Sequence, residues 1–142
     1  MFDTAKTTGI LEKSGIKYDT SLGFAECTGF RRGTCHPFYL YDFEQNKTST
    51  VLEIPLIVMD TTLRNKKYMG FAPEKTREDI FKLVDEVKKF NGIFSLLWHN
   101  TYFSEYKFTG WKQIYLDILE YCKNNHALMT TCRDIYERVT GE

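Results

Sequence analysis

The sequence has little that would tie it to a membrane, a nucleic acid or an export route. Charge of one sign is not in excess: 19 Lys and Arg stand against 19 Asp and Glu, so the formal net charge is zero. A chain without a basic stripe lacks the electrostatic footprint that phosphate backbones select, and no nucleic-acid partner is expected. Long apolar runs are missing too. The cleanest, Ile54–Met59 and Ile93–Trp98, fall far short of the roughly 20 residues that cross a bilayer, so no membrane partner is expected. The opening stretch MFDTAKTTGILEK has no apolar h-region of the kind a signal peptide carries. The cysteines, Cys27, Cys35, Cys122 and Cys132, include no Cys-x-x-Cys pair, and their spacing with His36 matches no common zinc pattern. Without an export signal, reduced thiols and a cytoplasmic location are expected. A phosphate loop is absent as well, because Gly29-x-x-x-Gly33 is not followed by Lys-Ser/Thr.

What the chain does have is a core. Apolar residues make up 42% of its 142 residues, and the aromatics alone (eleven Phe, nine Tyr, two Trp) reach 15%. That suffices for one domain over residues 1–142. The pattern alternates helix and strand. Asp3 is placed to cap a helix over Thr4–Lys13, and Ile16–Asp19 reads as a short strand. Thr20–Pro37 is aperiodic and rich in Gly, Thr and Ser, a loop long enough to suggest function. Pro37–Phe43 is predicted as a short edge segment and Glu44–Thr50 as a turn. Val51–Met59 is a β run in which Pro55 argues for an edge or a bulge. Pro73 and Thr76 open a helix with Ile80, Val84 and Val87 on one face. Ile93–Trp98 reads as a strand buried on both sides. Trp111, Ile114, Tyr115, Ile118, Leu119 and Cys122 mark a second amphipathic helix. Ala127–Met129 is predicted as a minimal strand, and Thr131-x-x-Asp134 as the cap of a last helix. The alternation predicts an α/β fold with mainly parallel strands.

In parallel α/β folds, sites gather at the carboxyl ends of strands. That rule selects Asp19, Asp60, His99–Asn100 and Thr130–Thr131. His99, beside the apolar Leu96-Leu97-Trp98, is suited to general acid or base work. Asp60 at a second strand end can orient that imidazole and fix its tautomer; its alternative role is an Asx-type cap on the Thr61-Thr62 turn. Arg31, between Gly29 and Gly33, can clamp a carboxylate, or it is one of two solvated surface arginines. A Cys35–His99–Asp60 nucleophilic set is conceivable from residue types alone.

Several blocks in order carry a family resemblance: YDTSLGF at residues 18–24, GFRRGTCHPF at 29–38, LEIP at 52–55, MDTTL at 59–63 and LLWHN at 96–100. Together they resemble the C-terminal half of the polysaccharide deacetylases of the NodB-homology type, over about residues 8–139. The resemblance implies a partial (β/α) barrel and removal of N-acetyl groups from sugars by a metal-bound water. It implies catalytic roles for His99 as proton donor, Asp60 as its orienting carboxylate and Arg31 as a carboxylate clamp, and substrate-binding roles for Phe38 and Trp98. Two blocks of the family are absent: its Thr-Phe-Asp-Asp-Gly opening and its His-x-x-x-His metal pair. His36 and His126 stand alone. The expectation is therefore a chain with no metal site and no cofactor of its own, inactive alone, with a divalent metal such as zinc in the complete protein. Its partners would be a carbohydrate substrate and either a second copy or a missing N-terminal half, since a half barrel leaves a sheet edge open. The alternative is a non-catalytic carbohydrate-binding or protein-interaction module on the same fold, with Tyr39, Tyr41, Phe43, Tyr102, Phe103 and Tyr106 stacking on sugar rings.

Overall fold

A computed structural model describes residues 2–142. The elements in order are α1 (Thr7–Lys13), β1 (Tyr18–Asp19), β2 (Phe38–Asp42), β3 (Lys47–Glu53), β4 (Val58–Met59), α2 (Asp60–Arg64), α3 (Pro73–Lys89), β5 (Leu96–Leu97), α4 (Trp111–Asn124) and α5 (Cys132–Thr140), with a 3₁₀ turn at Asn100–Phe103. The strands form two small sheets, β1-β3-β2 and β4-β5. Pairing is parallel for β1 with β3 and for β4 with β5, and antiparallel for β2 with β3. The fold is thus mixed α/β, only partly parallel, and no closed barrel forms among the described residues.

The β run of residues 51–59 is where the two sheets meet. Its first half is the end of β3 and its second half is β4, with Pro55 between them. Proline cannot donate a ladder bond, so the chain leaves one sheet there and enters the other. The break is bridged by Ser95, whose hydroxyl donates to the Pro55 carbonyl and accepts the Ile57 N–H at 3.2 Å.

The main core lies between the β4-β5 sheet and the helix pair α3/α4. Ile80, Val84 and Val87 of α3 meet Trp111, Ile114, Ile118 and Cys122 of α4, together with Ile57, Val58 and Leu63. These positions repeat at three and four residues, the spacing that puts them on one helical face. At the rim of that seam Phe81 and Tyr121 stack 3.9 Å apart. Arg77 also pairs with Asp117 at 2.6 Å. Burying an aliphatic side chain contributes roughly 1.5–3 kcal/mol, so this stripe is the main source of stability. Two smaller clusters flank the three-stranded sheet. Leu22, Leu40 and Val51 form one; Leu52, Ile54 and Tyr136 of α5 form the other.

Five local expectations change. Of Ile93–Trp98, expected as a strand buried on both sides, only Leu96–Leu97 forms strand, and Leu97 is exposed. The stretch Lys47–Thr50 is strand rather than turn, and forms a hairpin with β2. Ala127–Met129 is not a strand; Leu128 and Met129 are exposed instead. Helix α3 starts with Pro73 in its first turn and carries no side-chain cap, so Thr76 is a buried first-turn residue rather than the start of a capping box. Helix α1 begins at Thr7, after a turn in which the Asp3 side chain accepts the Ala5 N–H. The last helix keeps its expected start: Thr131 and Asp134 form a reciprocal capping box. All four cysteines are free thiols. No described helix is long and apolar enough to cross a membrane.

Candidate active site

The parallel register of β4 and β5 pairs Val58 with Leu96 and Met59 with Leu97. Both strands therefore end at the same place. Asp60 leaves β4 as the first residue of α2, and His99 follows β5 by two residues. The apolar residues before them fix this arrangement, because Val58 is buried in the core and Leu96 packs against it.

Asp60 is completely buried. Its Oδ1 lies 2.7 Å from His99 Nδ1 and also accepts the Thr61 N–H and, at 3.1 Å, the Thr61 hydroxyl. Its Oδ2 accepts the His99 backbone N–H. The carboxylate thus grips the histidine twice, by ring and by main chain, and is held in turn by Thr61. Both oxygens thus have hydrogen-bond partners, as burial of a carboxyl group demands. Its place in the first turn of α2 adds a favourable interaction with the helix N-terminus. Of the two roles foreseen for Asp60, its contacts suit the imidazole orienter; the Asx-type cap does not form, because within that turn the carboxylate reaches only the N–H and hydroxyl of Thr61 and α2 carries no side-chain cap.

The His99 side chain is 47% exposed. With Nδ1 donating to Asp60, the proton of a neutral ring sits on Nδ1, and Nε2 is the nitrogen turned toward solvent. No protein group among the described residues bonds Nε2. One wall beside it is aromatic. Tyr102 lies 6.4 Å from the imidazole, centroid to centroid, and stacks on Phe108 at 4.4 Å, over which Arg64 sits at 4.5 Å. Trp98 packs tilted against Trp111 and Tyr115 at 5.8 and 5.7 Å, and its buried Nε1 has no hydrogen-bond partner.

The other sequence candidates are not gathered here. Arg31 is exposed and donates from Nη1 to the Gly23 carbonyl at 2.8 Å, with no bond to Asp60 or His99. Phe38 packs against Leu22, Leu40 and Val51, in a different cluster from Trp98. Cys35 is buried against Gly92 and shares no hydrogen bond with the pair. Sequence reasoning had Thr61 only in a capped turn and Tyr102 only among sugar-stacking aromatics, and placed neither beside the Asp60–His99 pair. The Asp-Thr-Thr triplet at the strand end was the signal for the first, and the i+3 spacing from His99 for the second.

A metal would need three or more ligating side chains close together. No such group of His, Cys, Asp and Glu exists among the described residues. Both oxygens of Asp60 are already engaged. The described residues therefore do not fit a metal site. A second carboxyl stands out elsewhere. Glu53, fully buried at the end of β3, has its carboxyl pushed up to about 8, first by burial and further by Asp19 beside it.

No family model, no curated protein and no solved structure matches this chain.

Proposed function

We propose that this chain is the proton-donating half of a polysaccharide deacetylase-like hydrolase acting on N-acetyl groups of sugars. The observation that carries the reading is the double grip of Asp60 on His99, which leaves Nε2 free on the exposed side of the ring. In the protonated ring Nδ1–H is held by Asp60 and Nε2–H is the deliverable proton. Cleaving an amide requires a proton for the departing amine, and a histidine so held supplies about 10²- to 10⁴-fold. Asp60 is the positioning residue and Trp98 lends the site a rigid aromatic neighbour, while Arg31 and Phe38 stand apart from the pair. The partial-barrel reading is supported by the parallel β4-β5 ladder; a groove of about 240 Å³ beside it is lined by Thr20, Ile54, Leu56, Ile93, Leu97 and Ile135. A complementary half bearing a divalent metal and a base would complete the site.

The test begins with the coding sequence before Met1. Asp-Asp and His-x-x-x-His blocks there, together with deacetylation of N-acetylglucosamine oligomers by the longer polypeptide, are expected. H99Q in that polypeptide is expected to lower kcat by about 100-fold or more. Full activity in the H99Q variant overturns the reading.

A second reading has one observation in its favour. Tyr39, Tyr41 and Phe43 are exposed in a row on β2 and just beyond it, with Tyr41 and Phe43 edge to face at 5.2 Å. Such a row suits a non-catalytic sugar-binding module. Oligosaccharide binding lost in Y41A but kept in H99Q favours it over the enzyme.

A further inference from the structure

The loop of residues 20–37 is rooted beside two carboxyl groups that the acid pair does not use. Asp19 ends β1, Glu53 ends β3, and the two are direct register partners in a parallel ladder. Such partners put their side chains on one face of the sheet, with Cβ atoms about 5 Å apart. The two carboxyl groups therefore share one small space, but they are held differently. Asp19 Oδ2 accepts the Ser21 hydroxyl at 2.5 Å and the Ser21 N–H at 3.3 Å. Glu53 is fully buried; its Oε1 accepts the Leu22 N–H at 3.0 Å, and its Oε2 meets no donor.

A buried, half-satisfied carboxylate beside another carboxylate is unfavourable on both counts. A proton on Oε2 removes both faults. The charge is gone, and the new hydroxyl has the Asp19 carboxylate as its acceptor. The charged groups that face Glu53 are Asp19 from β1 and Arg32 from the loop. Its partner on β2, Phe38, brings none. Arg32 is exposed and does not offset burial together with Asp19.

The loop is rooted on this carboxyl; the Leu22 N–H by itself favours the charged form, and burial with Asp19 outweighs it. Leu22, two residues past the root, is buried against Leu40 and Val51 while its amide is bound by Glu53. Beyond it the loop is tied to the segment carrying Asp60. The Thr62 hydroxyl donates to the Ala25 carbonyl at 3.0 Å, and the Gly29 N–H to the Ile57 carbonyl at 2.9 Å. We propose that Asp19 and Glu53 form a proton-sharing latch, holding the root of the 20–37 loop while Glu53 is protonated and releasing it when Glu53 ionises. An ionised Glu53 must reach water, and the Leu22 segment is the lid that has to lift. The latch stands whatever the Asp60–His99 pair acts on.

Amide hydrogen exchange on the full chain, from about pH 6 to about pH 9.5 and corrected for intrinsic base catalysis, tests this. Protection of the Leu22 and Gly29 amides is expected to fall about tenfold as pH passes about 8, while α3 and α4 keep theirs. E53Q keeps the acceptor oxygen and is expected to abolish the transition; D19N is expected to move it to lower pH. Flat loop protection in the wild type, or a transition that survives E53Q, overturns the latch. Should E53Q not fold, carbon-13 titration of the wild-type Glu53 carboxyl decides: a midpoint near 8 supports the latch, and one below about 6 overturns it.

Discussion

Gly92 lies directly beneath the thiol of Cys35, so closely that a Cβ on residue 92 would fall 2.1 Å from Sγ and 2.9 Å from the Cys35 Cβ. The following residue seals the contact, since the Ile93 N–H donates to the Cys35 carbonyl at 2.9 Å. The chain thus passes from α3 into β5 pressed against the end of the 20–37 loop. Backbone freedom is not the reason for glycine here; the space is. Gly92→Ala is expected to cost about 3 kcal/mol, at the upper end for overpacking in a core. Urea denaturation measures it. Cys35→Ala in the same chain is expected to return about 1 kcal/mol, because the Sγ clash goes and the Cβ clash stays.

Asp60 accepts only from donors, so Asp60→Asn turns an amide N–H₂ toward at least one N–H or O–H. The expected loss is about 3 kcal/mol, the range for breaking a buried, hydrogen-bonded charge contact. Nitrogen-15 spectra of the imidazole read the same change at the site. The wild-type ring is expected to carry its neutral-state proton on Nδ1, and the Asp60→Asn ring mainly on Nε2. A ring that stays Nδ1-protonated in the variant would mean that Asp60 does not set the tautomer.

Stability should fall with pH in a range where most proteins are steady. The Glu53 carboxyl binds its proton more tightly folded, at about 8, than at its ordinary 4.5. Folding therefore takes up a proton between those values, and raising the pH penalises the folded state. The contribution is fully present below about 4.5 and is lost as pH rises through about 8. It amounts to on the order of 5 kcal/mol. The thermal midpoint of the wild type is expected to drop from about pH 6 to about pH 9, and that of Glu53→Gln to stay level over the same span.

Thr131→Ala removes the hydroxyl that accepts the Asp134 N–H and donates to its carboxylate. A loss of about 1 kcal/mol is expected, with faster amide exchange confined to α5. Asp134, held below the usual carboxylate range first by the Thr131 N–H and then by the Thr131 and Thr130 hydroxyls, keeps its share of the cap above its ordinary value. That share disappears as pH falls through the lowered one.

The parts of the fold legible in the sequence were those whose side chains repeat with a period. The faces of α3 and α4 follow from Ile80, Val84, Val87 and from Trp111, Ile114, Ile118, because core contact forces that spacing. The strand-end rule led to Asp60 and His99, which the parallel β4-β5 ladder does bring together. The β2-β3 hairpin stayed hidden because Lys47, Thr48 and Thr50 face solvent, so half of a genuine strand reads as polar turn. Leu128 and Met129 misled in the opposite way: their apolarity suggested a strand, yet both are exposed. Arg31 was illegible for a third reason. Glycine-flanked arginines look the same whether they face a pocket or a neighbouring carbonyl, and here the bond is to Gly23.

The separation of Asp60 and His99 along the chain, 39 residues, has a consequence for a polypeptide emerging from the ribosome. The β2-β3 hairpin closes over a tight reversal and can form early, whereas β4 must wait until α3 and β5 have been synthesised and docked. The Asp60–His99 pair therefore forms later than the hairpin, after the molecule's first tertiary contacts exist. A chain stalled or truncated before residue 99 would leave the Asp60 carboxylate with the Thr61 N–H and hydroxyl as its only donors among the described residues.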